Sequence, residues 1–308
     1  MRLIHHDSIR MKDQTLNIET VHQCNCCLGG TTLHPLASVI ALTETPLLQH
    51  SVTFGFYTVL LREGQAEEFF FGRRQDDYSA AALVFLPPGQ SLETGHKEWF
   101  PHKGWLLAFH PDLIARTSLG TTIRNYTFFS YHPDEALHVS MREKTKAVEC
   151  LCHIREELRH PVDCHSKTLI SRHIELLLDY CSRFYERQFI TREEANQEVI
   201  RRTETLLEQH ILSGGFRDGH LPSAGWCARY TGLSPYYFAD LLKFETGKNF
   251  NEYLQWKRFE FSKKLLLNDR YTTSQVAALL GYPSVQCFAG LFKKITGIAP
   301  NEYRFSHH

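Results

Sequence analysis

Between residues 33 and about 130, apolar positions come in short runs and not at helical spacing. Val52–Leu61 (VTFGFYTVLL), Glu67–Gly72 (EEFFFG), Ala81–Gln90 (AALVFLPPGQ) and Gly104–Ile114 (GWLLAFHPDLI) are rich in Val, Phe, Tyr and Leu. Gly, Pro and charged turns separate them, which predicts strands of a sandwich or small barrel. Near Pro133 the period changes to helical. Ile170, Ile174, Leu177, Cys181 and Phe184 recur at alternating steps of four and three. That row predicts a helix packed along another helix. The other helix belongs either to the same domain or to a second subunit, and spacing leaves both open. Ser213–Pro222 (SGGFRDGHLP) is a Gly-rich loop. Beyond it the whole pattern is helical, which marks a separate C-terminal module.

That module repeats itself. Phe238–Tyr253 (FADLLKFETGKNFNEY) and Phe288–Tyr303 (FAGLFKKITGIAPNEY) share Phe, Ala, Leu, Lys, Thr, Gly, Asn, Glu and Tyr at a shift of 50 residues. Upstream the shift is 49, pairing Ala228 and Gly232 with Ala277 and Gly281. A duplicated unit whose second turn is one residue longer accounts for both shifts.

Each copy reads as a helix-turn-helix. In the second, Thr272-x-x-Gln275 is a capping box. Ala277 allows close helix approach, and Gly281 supplies positive φ at a helix end. The following helix is expected to bury Phe288, Leu291 and Phe292. In the first copy Ser234-Pro235 forms an N-cap followed by Pro at the first helical position, and Phe238, Leu241 and Leu242 form the core stripe. Thr246-Gly247 and Thr296-Gly297 end the two second helices. A helix over about 251–267 joins the copies and carries Lys257, Arg258, Lys263 and Lys264, candidates for phosphate contact.

Charge supports the division. The chain of 308 residues has 34 Lys+Arg and 34 Asp+Glu, so its average charge says nothing about nucleic acid. From Arg201 onward, however, 14 basic residues face 9 acidic ones. A neutral whole thus conceals a basic C-terminal third. No run of about 18 apolar residues occurs, so no membrane span is expected. The start lacks an apolar secretory core, and nine scattered cysteines suit a reduced, cytoplasmic setting. Cys24-x-x-Cys27 lacks a second ligand pair at zinc spacing, so thiols near the start of the β-region are the expectation.

The segments LSPYYFADLLKFETGKNFNEYLQWKR and VAALLGYPSVQCFAGLFKKITGIAPNEYR, with the ending Gly297-x-x-Pro300-x-x-Tyr303-Arg304, resemble the two halves of AraC-family transcription regulators. The resemblance covers about the last 100 residues. The β-region is similar, less specifically, to the cupin-like sensor barrel of such regulators. What the resemblance implies is an α+β multidomain chain. A cupin-like β sensor domain spans 1–135 and a helical segment, candidate for dimerisation, 136–200. An all-α, homeodomain-like tandem helix-turn-helix domain spans 203–308, with its units at about 222–244 and 272–294. It implies a cytoplasmic regulator that binds double-stranded DNA, with reading helices in successive major grooves. A small-molecule effector, a homodimer and, for an activator, RNA polymerase are the further partners.

Carried over by position, the base-contact candidates are Tyr236, Ala239, Asp240, Val285, Gln286, Ala289 and Gly290. Gln286 suits adenine, while Tyr236, Val285 and Ala289 suit thymine methyls. Asp240 could accept from cytosine or pair with a basic neighbour. Gly290 offers no side chain, and close approach to DNA or to another helix would favour it. Phosphate candidates are Ser234, Lys243, Lys257, Arg258, Ser284, Lys293 and Lys294. The dimerisation candidates are Ile170, Ile174, Leu177, Cys181 and Phe184.

Two rival functions compete. A metal-dependent cupin enzyme would need an H-x-H and a His after P-x-G-x-x, whereas Leu92 follows Pro87-Pro88-Gly89-Gln90-Ser91. His50, His96, His102 and His110 remain, so neither metal nor cofactor nor enzyme activity is expected. A ligand-independent DNA-binding protein is the third reading; about 200 residues upstream of the DNA module argue against it.

Overall fold

The computed structural model describes residues 15–43, 51–63, 77–78, 80–93, 103–217 and 220–306. It divides the chain into two compact units, residues 1–192 and 193–308. The first unit therefore takes in most of the helical segment that sequence reading set apart at 136–200.

In the first unit the order is β1 (Thr15–Ile18), α1 (Val21–Leu28), β2 (Ala37–Thr43), β3 (Ser51–Phe54), β4 (Tyr57–Arg62), β5 (Ala81–Leu86), β6 (Ser91–Glu93) and β7 (Lys103–Phe109). Short helices α2 (Pro111–Ile114) and α3 (Ser118–Thr122), a string of 3-10 turns and β8 (Leu137–Val139) follow. The unit ends on two longer helices, α4 (Met141–Glu157) and α5 (Ser166–Thr191).

The described strands form two open sheets, in the orders β1-β3-β6 and β2-β7-β4-β5-β8. This corrects the expected barrel: the sheets do not close. At the β8 edge a helix stands in place of another strand. Gln188 of α5 accepts from the His138 amide at 2.7 Å and donates to the Ala136 carbonyl at 3.1 Å. Arg187 donates to the His138 carbonyl at 2.6 Å. The edge groups that would recruit a further strand are thereby satisfied.

Val52, Phe54 and Leu92 of the small sheet share one core with Ile40, Leu60, Val84 and Leu106 of the large one. Phe54 and Phe56 fill it. The other face of the large sheet is covered by aromatics and helices: Phe85 lies 4.4 Å from Phe128 and 6.1 Å from Tyr185, ring centre to ring centre. β5 is consequently buried at every position, which is why it reads as a continuous apolar run.

Several local expectations change. Val52–Leu61 is a corner, with β3 and β4 in different sheets. Gly55 turns it, where the amide donates to the Ile18 carbonyl and a Cβ would crowd the Glu19 backbone. α1 emerges from a polar stretch because Thr20 and Gln23 form a capping box and Gly29 ends it at φ 69°. Gly104–Ile114 splits into β7 and α2, the latter begun by His110-Pro111. Glu67–Gly72 lies outside the described residues.

The 4-3-4-3 row points inward. Ile170, Ile174, Leu177 and Cys181 have no exposed surface and Phe184 is 6% exposed. α5 packs on α4, α2, α3 and β8. The dimerisation assignment of these five residues is thus corrected: their apolar surface is spent inside the first unit, at about 1.5–3 kcal/mol per fully buried side chain.

The second unit is all helical: α6 (Glu193–Leu212), α7 (Ala224–Thr231), α8 (Pro235–Thr246), α9 (Phe250–Leu266), α10 (Thr273–Leu279), α11 (Val285–Thr296) and α12 (Pro300–Ser306). α7–α8 and α10–α11 are the two helix-turn-helix copies, and α9 joins them. Both turns close alike. Gly232 and Gly281 adopt φ 78° and 71°. The following amides, of Leu233 and Tyr282, return to the carbonyls of Ala228 and Ala277 at 3.0 Å each. Gly281 has a second reason to lack a side chain, because a Cβ would run into the Phe216 carbonyl oxygen.

Candidate nucleic-acid interface

The caps set the reading faces. Ser234 accepts from the Tyr237 amide at 3.2 Å, with Pro235 next, so α8 starts at a fixed point. Tyr237, Phe238, Leu241 and Leu242 are buried. The opposite side presents exposed Pro235, Tyr236 and Lys243, with Ala239 and Asp240 half-buried. In α11, Ser284 accepts from the Cys287 amide at 3.1 Å, and Phe288 and Phe292 are buried. Gln286, Gly290, Lys293 and Lys294 are exposed, and Val285 and Ala289 are half-buried. Both helices thus hold their backs in the core and turn an N-terminal face to solvent. Helix N-termini favour anionic partners through their unsatisfied amides and dipole.

Leu291 departs from expectation. It is 37% exposed, whereas its repeat partner Leu241 is 1% exposed. α6 packs against α8 and its Asn196 donates to Glu245 at 3.1 Å. That contact covers the first copy on a side where α11 presents Leu291 and Ile295 to solvent.

Three of the seven phosphate candidates are buried or ion-paired. Ser234 is 1% exposed and its hydroxyl is used as the cap. Lys257 pairs with Glu204 at 2.6 Å and lies 4.5 Å over the Trp256 ring. Arg258 is only 5% exposed. It donates from Nε to the Leu280 carbonyl at 2.9 Å and from Nη1 to Gln255 at 2.9 Å, with its guanidinium 4.3 Å over the Tyr282 ring. The phosphate assignments of Ser234 and Arg258 are therefore corrected, since neither side chain is available to a phosphate. A signal for Arg258 was present: Leu254, Arg258, Ser262 and Leu265 form one buried row at steps of four, four and three. An arginine inside an apolar row is a buried arginine, and its fork needs internal acceptors.

Lys243, Lys293, Lys294 and Ser284 stay at the surface. The structure also brings up residues that sequence reading passed over. Cys287 is exposed on the first turn of α11. Exposed Tyr230 lies in the last turn of α7, with the Arg202 guanidinium 5.7 Å over its ring.

The metal question concerns the first unit. His50, His96 and His102 lie outside the described residues. His110 caps α2, accepting from the Asp112 amide at 3.2 Å. Among the described residues no three His, Cys, Asp or Glu side chains are grouped to hold a metal ion. Cys24 is buried and burial pushes its thiol up to about 12, while Cys26 and Cys27 are exposed. No described helix is long and apolar enough to cross a membrane.

The chain is similar in sequence to known helix-turn-helix proteins, most of the matches falling in its C-terminal part. A family model described as "Helix-turn-helix domain" matches residues 227–305. An HTH-type transcriptional regulator of Escherichia coli K12, YijO, is 26% identical over 240 residues, which cover 77% of this chain and 79% of that protein. Regulatory protein PocR of Salmonella typhimurium is 30% identical over 77 residues, a quarter of each chain. Among solved structures, the C-terminal domain of the response regulator AraT from Geobacillus stearothermophilus is 27% identical, covering 35% of this chain and 84% of that one with a TM-score of 0.28.

Proposed function

We propose that the chain is a DNA-binding transcriptional regulator of the AraC type and that α8 and α11 are its two reading helices, entering successive major grooves; the helix-turn-helix match over residues 227–305 and the likeness to transcriptional regulators support this reading. One observation carries this reading. Both helices of a duplicated unit bury one side and expose the N-terminal half of the other, at matching positions. Major grooves one turn apart on one DNA face suit two such helices joined by a third.

Base contact falls to Tyr236, Ala239 and Asp240 on α8, and to Val285, Gln286, Ala289 and Gly290 on α11. Phosphate contact falls to Lys243, Lys293, Lys294 and Ser284. Gln286 is the one amide among them, suited to adenine. Gln286→Ala should weaken binding to selected duplexes by about 1–3 kcal/mol while sparing random duplexes. Competition binding at constant salt measures both, and equal loss on the two DNAs would remove direct readout at Gln286.

The first unit is proposed as the sensor of a small-molecule effector, without enzyme activity of its own. A homodimer, cytoplasmic residence and contact with RNA polymerase belong to the same reading. Thermal-shift screening of the full chain with sugars and metabolites tests the sensor role. DNA binding with no stabilising ligand would favour a regulator without an effector.

A further inference from the structure

Each helix-turn-helix is preceded by a helix that sends an arginine to the end of the unit's first helix. In the first copy, Arg202 of α6 donates from Nη2 to the Tyr230 carbonyl at 3.2 Å and lies 5.7 Å from the centre of the Tyr230 ring. Arg202 is exposed. In the second copy, Arg258 of α9 makes the tighter version. Its Nε donates to the Leu280 carbonyl at 2.9 Å, and its guanidinium lies 4.3 Å over Tyr282. Gln255 holds Nη1, and the residue is 5% exposed.

The tighter arginine goes with the longer turn. In the first copy Leu233 alone separates Gly232 from the cap Ser234; in the second, Tyr282 and Pro283 separate Gly281 from the cap Ser284. The amides of Leu233 and Tyr282 make the same return bond, to Ala228 and Ala277. Tyr282 thus stands where Leu233 stands, and Pro283 is the additional residue. A residue added between a helix-ending glycine and the next N-cap adds backbone freedom, and that freedom falls on the direction of α11. Arg258 spans this turn. It bonds the carbonyl just before the glycine and covers the ring just after it. A planar fork can do both at once, and a lysine cannot.

We propose that Arg258 is a positioning residue for DNA recognition: it braces the longer turn and fixes the direction of α11 from α9, with Arg202 as a weaker counterpart for α8. The inference rests on the reading of α8 and α11 as the groove-entering helices.

The test uses the full-length chain. Duplexes are selected from a randomised pool with the wild-type protein. Protection along them is then mapped for wild type, Arg258→Ala, Arg258→Lys, Tyr282→Ala and Arg202→Ala. Wild type should protect two patches about one helical turn apart. A single wild-type patch would remove the reading beneath the inference, whatever the variants do. With two patches, Arg258→Ala and Arg258→Lys should both lose one, needing on the order of tenfold more protein to protect it, and keep the other. Tyr282→Ala, which removes no charge, should lose that same patch. Arg202→Ala should weaken the other patch, and by less. Wild-type behaviour of Arg258→Lys or of Tyr282→Ala overturns the brace, as does equal loss at both patches with an unchanged unfolding temperature. Should Arg258→Ala fail to fold, Arg258→Lys and Tyr282→Ala decide the matter.

Discussion

Gly290 occupies mid-helix in α11, where glycine costs about 1 kcal/mol relative to alanine. Beyond its own stretch of helix, a Cβ built there meets nothing within 4 Å, so no neighbouring helix requires the glycine. Gly290→Ala is therefore expected to stabilise the second unit by about 0.5–1 kcal/mol in urea unfolding of the full chain. Weaker binding of selected DNA by the same variant would show that the bare backbone is space the DNA uses. His34 is a second residue whose environment makes a prediction. It is 6% exposed, accepts from the Leu36 amide at 3.1 Å through Nδ1, and burial lowers its pKa from the ordinary 6.5. An imidazole that accepts on one nitrogen and is short of water resists the second proton. As pH falls below about 6.5 the unfolded chain takes up that proton while the folded chain does not, so stability falls with pH there. Thermal unfolding between pH 7 and pH 5 should show this fall for wild type. His34→Gln, which keeps an acceptor and cannot titrate, should show less of it; equal slopes would assign the effect to other groups.

At the scale of elements, the two copies share sequence but not surroundings. Leu241 and Leu291 are identical residues at matching repeat positions, yet α6 packs on α8 while α11 leaves its leucine partly in water. Leu241→Ala should cost about 2–5 kcal/mol and Leu291→Ala well under that, measured by denaturant midpoints. Near-equal costs would contradict the difference in burial. This pair also marks the limit of what periodicity conveys. The helices, caps and turns of the second unit were legible because each is set within a few residues: Thr272 with Gln275, Ser234 with Pro235, Gly281 with the carbonyls before it. The cover over Leu241 comes from α6, whose Asn196 lies 49 residues before its partner Glu245, and no local pattern carries it. The same holds in the first unit. The 4-3-4-3 row of α5 was legible as a packing stripe, but its partners are α4, short helices and β8, which only the fold brings together. At the β8 edge of the large sheet Gln188 and Arg187 take the place of a further strand, a contact spanning about fifty residues of chain.

For the whole molecule, charge has to be located before it can be interpreted. The second unit, counted from Glu193, holds 14 basic and 12 acidic residues, so it is far less basic overall than the stretch after Arg201 alone. Much of the basic surplus on α9 is also internally matched: Lys257 pairs with Glu204, Lys263 with Glu260 and Lys264 with Glu208. Arg258 is buried. The exposed cations left on the reading helices are Lys243, Lys293 and Lys294. If these neutralise phosphates, each contributes about 0.9 to the slope of log affinity against log salt. Lys293→Ala and Lys294→Ala should each flatten that slope by about one unit on selected and random duplexes alike. Lys257→Ala should flatten it much less, because its charge is already met by Glu204. Salt titration of DNA binding for these three variants checks the ordering. A slope change for Lys257→Ala as large as for Lys293→Ala would mean that Glu204 releases the lysine on binding. The joining helix would then contact the phosphates itself.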